Sequence, residues 1–151
     1  MTARPATPDD ADEVVRLAGV MYASMGHDVT DQNWIAAAHD AFTQRLGDDL
    51  AVFVVDAVDR AGLAASGAGT IATRLSAPNN ITARTGYIQW VATDEDARRH
   101  GHARAVMEAL LDWFEQRDVP VVELHATPDG EPLYRELGFG DKGPIALRRR
   151  Q

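Results

Sequence analysis

Apolar residues along this chain recur at two different spacings, and the changes between them mark out its elements. Val14, Leu17, Ala18 and Met21 stand at helical spacing behind Thr7-Pro8-Asp9-Asp10. That tetrapeptide reads as a helix start: Thr7 can cap free N–H groups, Pro8 suits the first turn, and the acids favour the positive end of the dipole. Gly26 ends the helix, and residues 2–6 ahead of it can form a short strand. Thr30 is the expected cap of a second helix carrying Trp34, Ala38, Ala41 and Phe42, which Gly47 stops. Residues 50–57 are almost continuously apolar, as in a strand covered on both faces. A turn at Asp59-Arg60-Ala61-Gly62 leads into residues 63–75, the returning strand of a hairpin, rich in small side chains, and Pro78-Asn79-Asn80 breaks the chain again.

The second half is more regular. Residues 87–93 read as a strand. Ala103, Val106, Met107, Leu110, Leu111 and Phe114 form one stripe on a helix over 102–117. Residues 120–126 read as a strand and 129–137 as a short helix, closed by Gly138 with Phe139 placed for the apolar contact of a glycine cap. Residues 143–148 are expected to form a last strand. The order β-α-α-β-β-β-α-β-α-β predicts one domain over 1–151, a mixed α/β sheet of about six strands with about four helices on its faces. Three consecutive strands imply an antiparallel portion, and the strand-helix-strand unit after them implies a parallel pair.

Composition narrows the function. A hydrophobic fraction of 45% and a charged fraction of 25% are those of a globular domain. With no cysteine, a disulfide framework, a thiolate nucleophile and a Cys-rich zinc site are excluded. No apolar run approaches the ~20 residues needed to cross a bilayer, and no secretion signal is visible, so the expectation is a cytoplasmic protein without membrane attachment. The net charge of −8 disfavours nucleic acid as a partner. His27, His39, His100, His102 and His125 show no metal-ligand spacing, and no metal is expected.

Candidate chemistry is concentrated where a strand runs through a loop into a helix, Val91-Ala92-Thr93-Asp94-Glu95-Asp96-Ala97-Arg98-Arg99-His100-Gly101-His102-Ala103-Arg104. The first turn of a helix leaves about four N–H groups unpaired, and with the positive dipole end they make a phosphate site. Gly101 lets a ligand approach the backbone, Ala103 adds little bulk, and Arg98, Arg99 and Arg104 bring positive charge. Without that context the three arginines would read as a solvated patch. His100 and His102 flank Gly101 and are expected to face solvent or phosphate.

Arg98-x-x-Gly101-x-Ala103 resembles the Gln/Arg-x-x-Gly-x-Gly/Ala signature of the GNAT acetyltransferases, and Leu133-Tyr134-Arg135-Glu136-Leu137-Gly138-Phe139 resembles the Leu-Tyr-x-x-x-Gly-Phe segment near the end of that fold. The resemblance implies the GNAT acyl-CoA N-acyltransferase fold and acetyl-CoA as co-substrate. It implies that N–H groups from Arg99, His100, Gly101, His102, Ala103 and Arg104 hold the pyrophosphate, that the backbone of Val91, Ala92 and Thr93 pairs with the pantetheine arm, and that a backbone N–H near Val91 faces the oxyanion. Tyr134 would protonate the departing thiolate; the plainer reading is a core tyrosine. Departures from the pattern are Glu95 in place of a proline, Ala103 for the second glycine, and Thr127 where an asparagine often begins the last helix.

The implied reaction is acetyl transfer to a primary amine of a small molecule or peptide, without a covalent acyl-enzyme. A longer acyl donor and a non-catalytic coenzyme A-binding module are the alternatives. A nucleotide-binding protein is disfavoured, since neither Gly-x-x-x-x-Gly-Lys-Ser/Thr nor Gly-x-Gly-x-x-Gly is present. The stretch Tyr87-Ile88-Gln89-Trp90 offers no carboxylate as general base. His125, Glu123 on the same strand face, and water alone remain open for that role. Tyr22, Met25, His27, Asp28, Trp34 and Gln89 are the candidates for the acceptor pocket; Asp28 could attract an ammonium and Trp34 could cover a ring or cation. A homodimer is an expectation by analogy alone.

Overall fold

A computed structural model describes residues 2–141 and 143–151. Its elements follow the order β1 (Arg4–Pro5), α1 (Ala11–Ser24), α2 (Gln32–Arg45), β2 (Leu50–Asp56), β3 (Leu63–Thr73), β4 (Arg84–Thr93), α3 (His102–Gln116), β5 (Val121–Leu124) and α4 (Glu131–Glu136), with 3-10 turns at Pro8–Asp10 and Glu95–Ala97. The strands form one sheet in the order β1-β2-β3-β4-β5. The first four are antiparallel neighbours, and β5 joins β4 in parallel.

The fold is thus the expected mixed α/β architecture with one difference. Five strands are present among the described residues, not six, because 143–148 forms none. Gly143 takes φ +103, and Pro144 has no N–H to give a ladder. A smaller correction concerns α2. Its cap is Asp31, whose side chain accepts from the Asn33 N–H at 2.8 Å, whereas Thr30 donates its hydroxyl to Asp28.

Alternation along β2 explains why its run is almost continuously apolar. Leu50, Val52 and Val54 pack with Leu17 and Phe42 on the face covered by α1 and α2, while Val55 joins the cluster around α3 on the other. The stripe on α3 buries Val106, Met107, Leu110 and Phe114, and adds Trp113, over which Arg117 lies at 4.7 Å.

The small residues of β3 and β4 have a specific use. A Cβ on Gly67 would stand 2.6 Å from Val106 Cγ1, one on Gly69 2.9 Å from Phe114 Cζ, and one on Gly86 2.5 Å from Phe114 Cε1. The helix therefore lies directly on bare backbone, closer than any side chain would allow. No helix among the described residues is long and apolar enough to cross a membrane.

Gly86→Ala is expected to destabilise the domain by about 1–3 kcal/mol through overpacking. Thermal unfolding should show a Tm several degrees lower, and an unchanged Tm would mean that α3 is not held this closely.

Candidate functional site

Three features of the chain meet where β4 ends. The first is a bulge. Ser66 pairs with Ala92 and Ala68 with Gln89, so Trp90 and Val91 together stand opposite Gly67. Trp90 takes φ +60, a left-handed conformation that is uncommon for a bulky residue and is tolerated only where the surroundings fix it. The second is a parting of strands. The β4–β5 register runs from Thr85–Val121 to Ile88–Leu124 and stops. Beyond it, the backbone of Gln89 to Thr93 has no ladder partner on the β5 side. Val91, Ala92 and Thr93 thus present a free strand edge.

The third feature is the loop into α3. Arg99 and Gly101 take φ +68 and +79, and alternating handedness of this kind turns successive N–H groups into a concave, anion-favouring surface. Gly101 is the N-cap of α3, no side chain caps the helix, and nothing lies within 4 Å of where a Cβ would stand. The first bond of the ladder is Ala105 N–H to Gly101 C=O at 3.1 Å. The N–H groups of His102, Ala103 and Arg104 are therefore left to a ligand or to water.

The arginine side chains contribute unequally. Arg98 donates to the Thr93 carbonyl at 3.4 Å and, like Arg99, is exposed. Arg104 is paired with Glu136 of α4 and lies 4.0 Å from Glu108, so its charge is largely neutralised and its backbone is the part that faces the loop. Of the two surroundings expected for His102, solvent is excluded. The histidine is buried at 6% exposure, its Nδ1 has no partner, and burial, followed by the nearby His100, lowers its pKa. It lines a cavity of about 300 Å³ with His100, Asp96 and Arg60 and does not face solvent, whereas His100 does.

An ion cluster centred on the buried Asp94 holds the loop's first residue. The Asp94 N–H donates to Ala64 C=O at 2.8 Å, and its carboxylate accepts from Arg16 at 2.7 and 2.9 Å and from Arg60. Glu13 in turn accepts from Arg16 and from the Leu63 N–H at 2.9 Å. Helix α1, the β2–β3 turn and the loop are tied at one point. The guanidinium of Arg16 holds the Asp94 and Glu13 carboxyls below their ordinary range.

Tyr134 is fixed by the end of α4. Phe139 N–H donates to Tyr134 C=O at 3.0 Å and Gly138 N–H to Arg135 C=O at 3.1 Å, with Gly138 at φ +97. This is a Schellman ending, and the Tyr134 and Phe139 rings meet edge to face at 6.2 Å as its apolar contact. The tyrosine is 9% exposed and packs in the cluster of Ile88, Val106 and Met107. Burial raises its pKa, keeping the phenol protonated at neutral pH. Thr127 closes the other end of α4, accepting the Gly130 N–H at its carbonyl and hydroxyl and the Glu131 N–H at its carbonyl.

The opposite face of the sheet carries the other candidates. Tyr22 of α1 meets the rings of His27 and Trp34 edge-on at 5.7 and 5.8 Å. Met25 is half exposed. Asp28 uses one carboxylate oxygen on the Thr30 N–H and hydroxyl, which lower its pKa. Gln89 is exposed on β4. His125 is exposed just past β5, and its Nδ1 lies 2.5 Å from the Tyr87 hydroxyl. The sequence reading did not single out Tyr87, Asp94, Arg16, Arg60 or Glu13; the signal for Tyr87 was its period-2 relation to Gln89, without the register that brings His125 beside it. Among the described residues, no three His, Asp or Glu side chains are grouped to hold a metal ion.

Known proteins give this geometry a context. The family model described as Acetyltransferase (GNAT) domain matches residues 2–141. No curated protein matches the chain by sequence. Among solved structures, a predicted acetyltransferase from Clostridium acetobutylicum, crystallised with acetyl-CoA, superposes with a TM-score of 0.83 at 21% identity over 97% of this chain and 95% of that one. A GCN5-related N-acetyltransferase from Ralstonia eutropha gives 0.78 at 25% over 97% of each chain. Glucosamine-6-phosphate N-acetyltransferase from Arabidopsis thaliana gives 0.76 at 20% over 99% of this chain and 98% of that one.

Asp94→Ala should cost about 1–3 kcal/mol at neutral pH, since it strips charged hydrogen bonds from Arg16. Because the folded-state pKa of Asp94 is depressed, its contribution is complete above the ordinary carboxylate range and is lost as pH falls through the lower folded value. Urea unfolding should therefore show the gap between wild type and variant closing in acid; a gap independent of pH would contradict the ion pairing.

Proposed function

The chain belongs to the GNAT acetyltransferase family, and from that premise we propose that it transfers the acetyl group of acetyl-coenzyme A to a primary amine by direct attack. The observation that carries this reading is the uncapped start of α3 at Gly101, beside a strand edge left free by the parting of β4 from β5. Four phosphate oxygens of a diphosphate suit the N–H groups from Arg99 to Arg104, and the pantetheine arm, with its two amides, suits the unpaired edge at Val91 to Thr93. Arg98 and Arg99 add charge at the rim.

In the reaction, the amine nitrogen attacks the thioester carbonyl, negative charge develops on its oxygen, and the carbon–sulfur bond breaks. A backbone N–H at the Val91 bulge is suited to the oxyanion, because a bulged residue is released from the ladder. Tyr134 donates its proton to the leaving thiolate. The burial that raises its pKa suits it to that task, since it enters the step protonated. The acceptor binds on the face of Tyr22, Met25, His27, Asp28, Trp34 and Gln89, and His125 takes the proton that the ammonium must lose. Holding both reactants at the gap supplies several kcal/mol of the barrier reduction.

Acetyl-coenzyme A at about 100 times its Kd should stabilise the fold by roughly 2.7 kcal/mol in thermal unfolding; a larger effect from NAD or ATP would overturn the donor assignment. Gly101→Val should weaken acetyl-coenzyme A binding about tenfold or more, because a β-branched residue resists φ +79. Tyr134→Phe should bind the donor normally and turn over about 100-fold more slowly. These rates are read as thiol release across polyamines, aminoglycosides, amino acids and peptide N-termini, and retention of full turnover would remove Tyr134 from the mechanism.

A further inference from the structure

The Tyr87 hydroxyl and His125 Nδ1 lie 2.5 Å apart on the acceptor face, and the pair joins two groups of different exposure. Tyr87 is half buried on β4, and His125 is exposed at the end of β5. The register explains why they meet. Tyr87 stands opposite Glu123, and His125 follows two residues later on the same face. On the inner side, Tyr22 of α1 lies near enough to disfavour ionisation of Tyr87, and Tyr22 meets the rings of His27 and Trp34 edge-on. The phenol oxygen thus stands between the aromatic acceptor pocket and an imidazole open to water.

The geometry points to Tyr87 as the group that touches the acceptor amine, passing its proton on to His125. This rests on the acetyltransferase reading given above. In the step, an ammonium N–H proton moves to the Tyr87 oxygen as the Tyr87 hydroxyl proton moves to His125 Nδ1. The products are a neutral amine with its lone pair free, an unchanged phenol and an imidazolium. Nothing is oxidised or reduced. The imidazolium then releases its proton to solvent, which its exposure permits.

Two facts favour a relay over either group acting alone. Burial is the largest influence on Tyr87, and it raises the phenol's pKa, with Tyr22 and Glu123 adding to the effect and Arg148 opposing it. Tyr87 therefore remains protonated and cannot be the final proton acceptor, although a neutral hydroxyl can accept and donate at once. His125 directs Nδ1 at the phenol, so in the tautomer that carries its proton on Nε2 this nitrogen is free to take the phenol proton. The titratable and charged groups acting on Tyr87 are Tyr22 from α1, Glu123 from β5 and Arg148 from the C-terminal segment.

The test compares kcat/KM against pH for wild type, Tyr87→Phe, His125→Gln and the double variant, with an amine substrate found in the panel. Wild type should reach its plateau below the pH at which the free amine deprotonates. Both single variants should fall about 100-fold at neutral pH and keep rising until the amine itself loses its proton. The double variant should be no worse than either single one, since each breaks the same chain. An active wild type whose profile survives Tyr87→Phe, or variants whose losses multiply, would overturn the relay while leaving the transferase reading intact. The imidazole 15N shifts of His125 provide a readout independent of turnover: they should change on Tyr87→Phe, and constancy would overturn the pairing. A wild type that binds acetyl-coenzyme A but acetylates no amine would overturn the transferase reading and the relay with it.

Discussion

The seating of α3 on the glycines of β3 and β4 is the contact on which the site depends. Gly67, Gly69 and Gly86 leave no side chain between sheet and helix, so Val106, Leu110 and Phe114 rest against strand backbone. Helix position then has little play, because a core at crystal-like density resists displacement. The start of the helix is fixed with it, and so are the N–H groups after Gly101. The Asp94 cluster acts on the same loop from its other end, using α1 and the β2–β3 turn as anchors. A loop held at both ends keeps its donors oriented before any ligand arrives, which is how fixed dipoles avoid the cost of reorganising.

The bulge and the strand parting lie side by side along β4. Gly67 faces two residues of β4, which accommodates the left-handed Trp90 and bends the strand. β5 follows β4 only as far as Leu124. Past that point the sheet is open, with a free backbone edge on one side and His125 on the other.

Much of this was legible in the chain. The helices and strands before residue 140 were marked by period and by glycine stops, and the two motifs located the loop at Gly101 and the tyrosine at the end of α4. Local signals of this kind survive in sequence because each depends on a few neighbouring residues. What was not legible depends on register or on distant contacts. The Tyr87–His125 bond joins residues 38 positions apart, and Arg16 and Asp94 are 78 apart; no spacing rule links them. The bulge at Trp90 is a property of how β3 and β4 slide against each other. The burial of His102 was not legible because its neighbours Arg99, His100 and Arg104 suggested an open basic surface, whereas the first turn of α3 rotates it inward. The last strand failed on local grounds that the sequence did contain, at Gly143-Pro144.

A continuous sheet is a wall, and this one has a window. Tyr134 packs on the side of α3 and α4, while Tyr22, Trp34, Tyr87 and His125 belong to the side of α1 and α2. In the proposed reaction the two ends are thus served by separate sets of side chains that share only the strand edge between them. On that reading, replacements among the aromatics of the first two helices would change what is recognised there without disturbing the donor's grip. A lineage carrying this scaffold is free to change its choice of acceptor while its thioester chemistry stays the same.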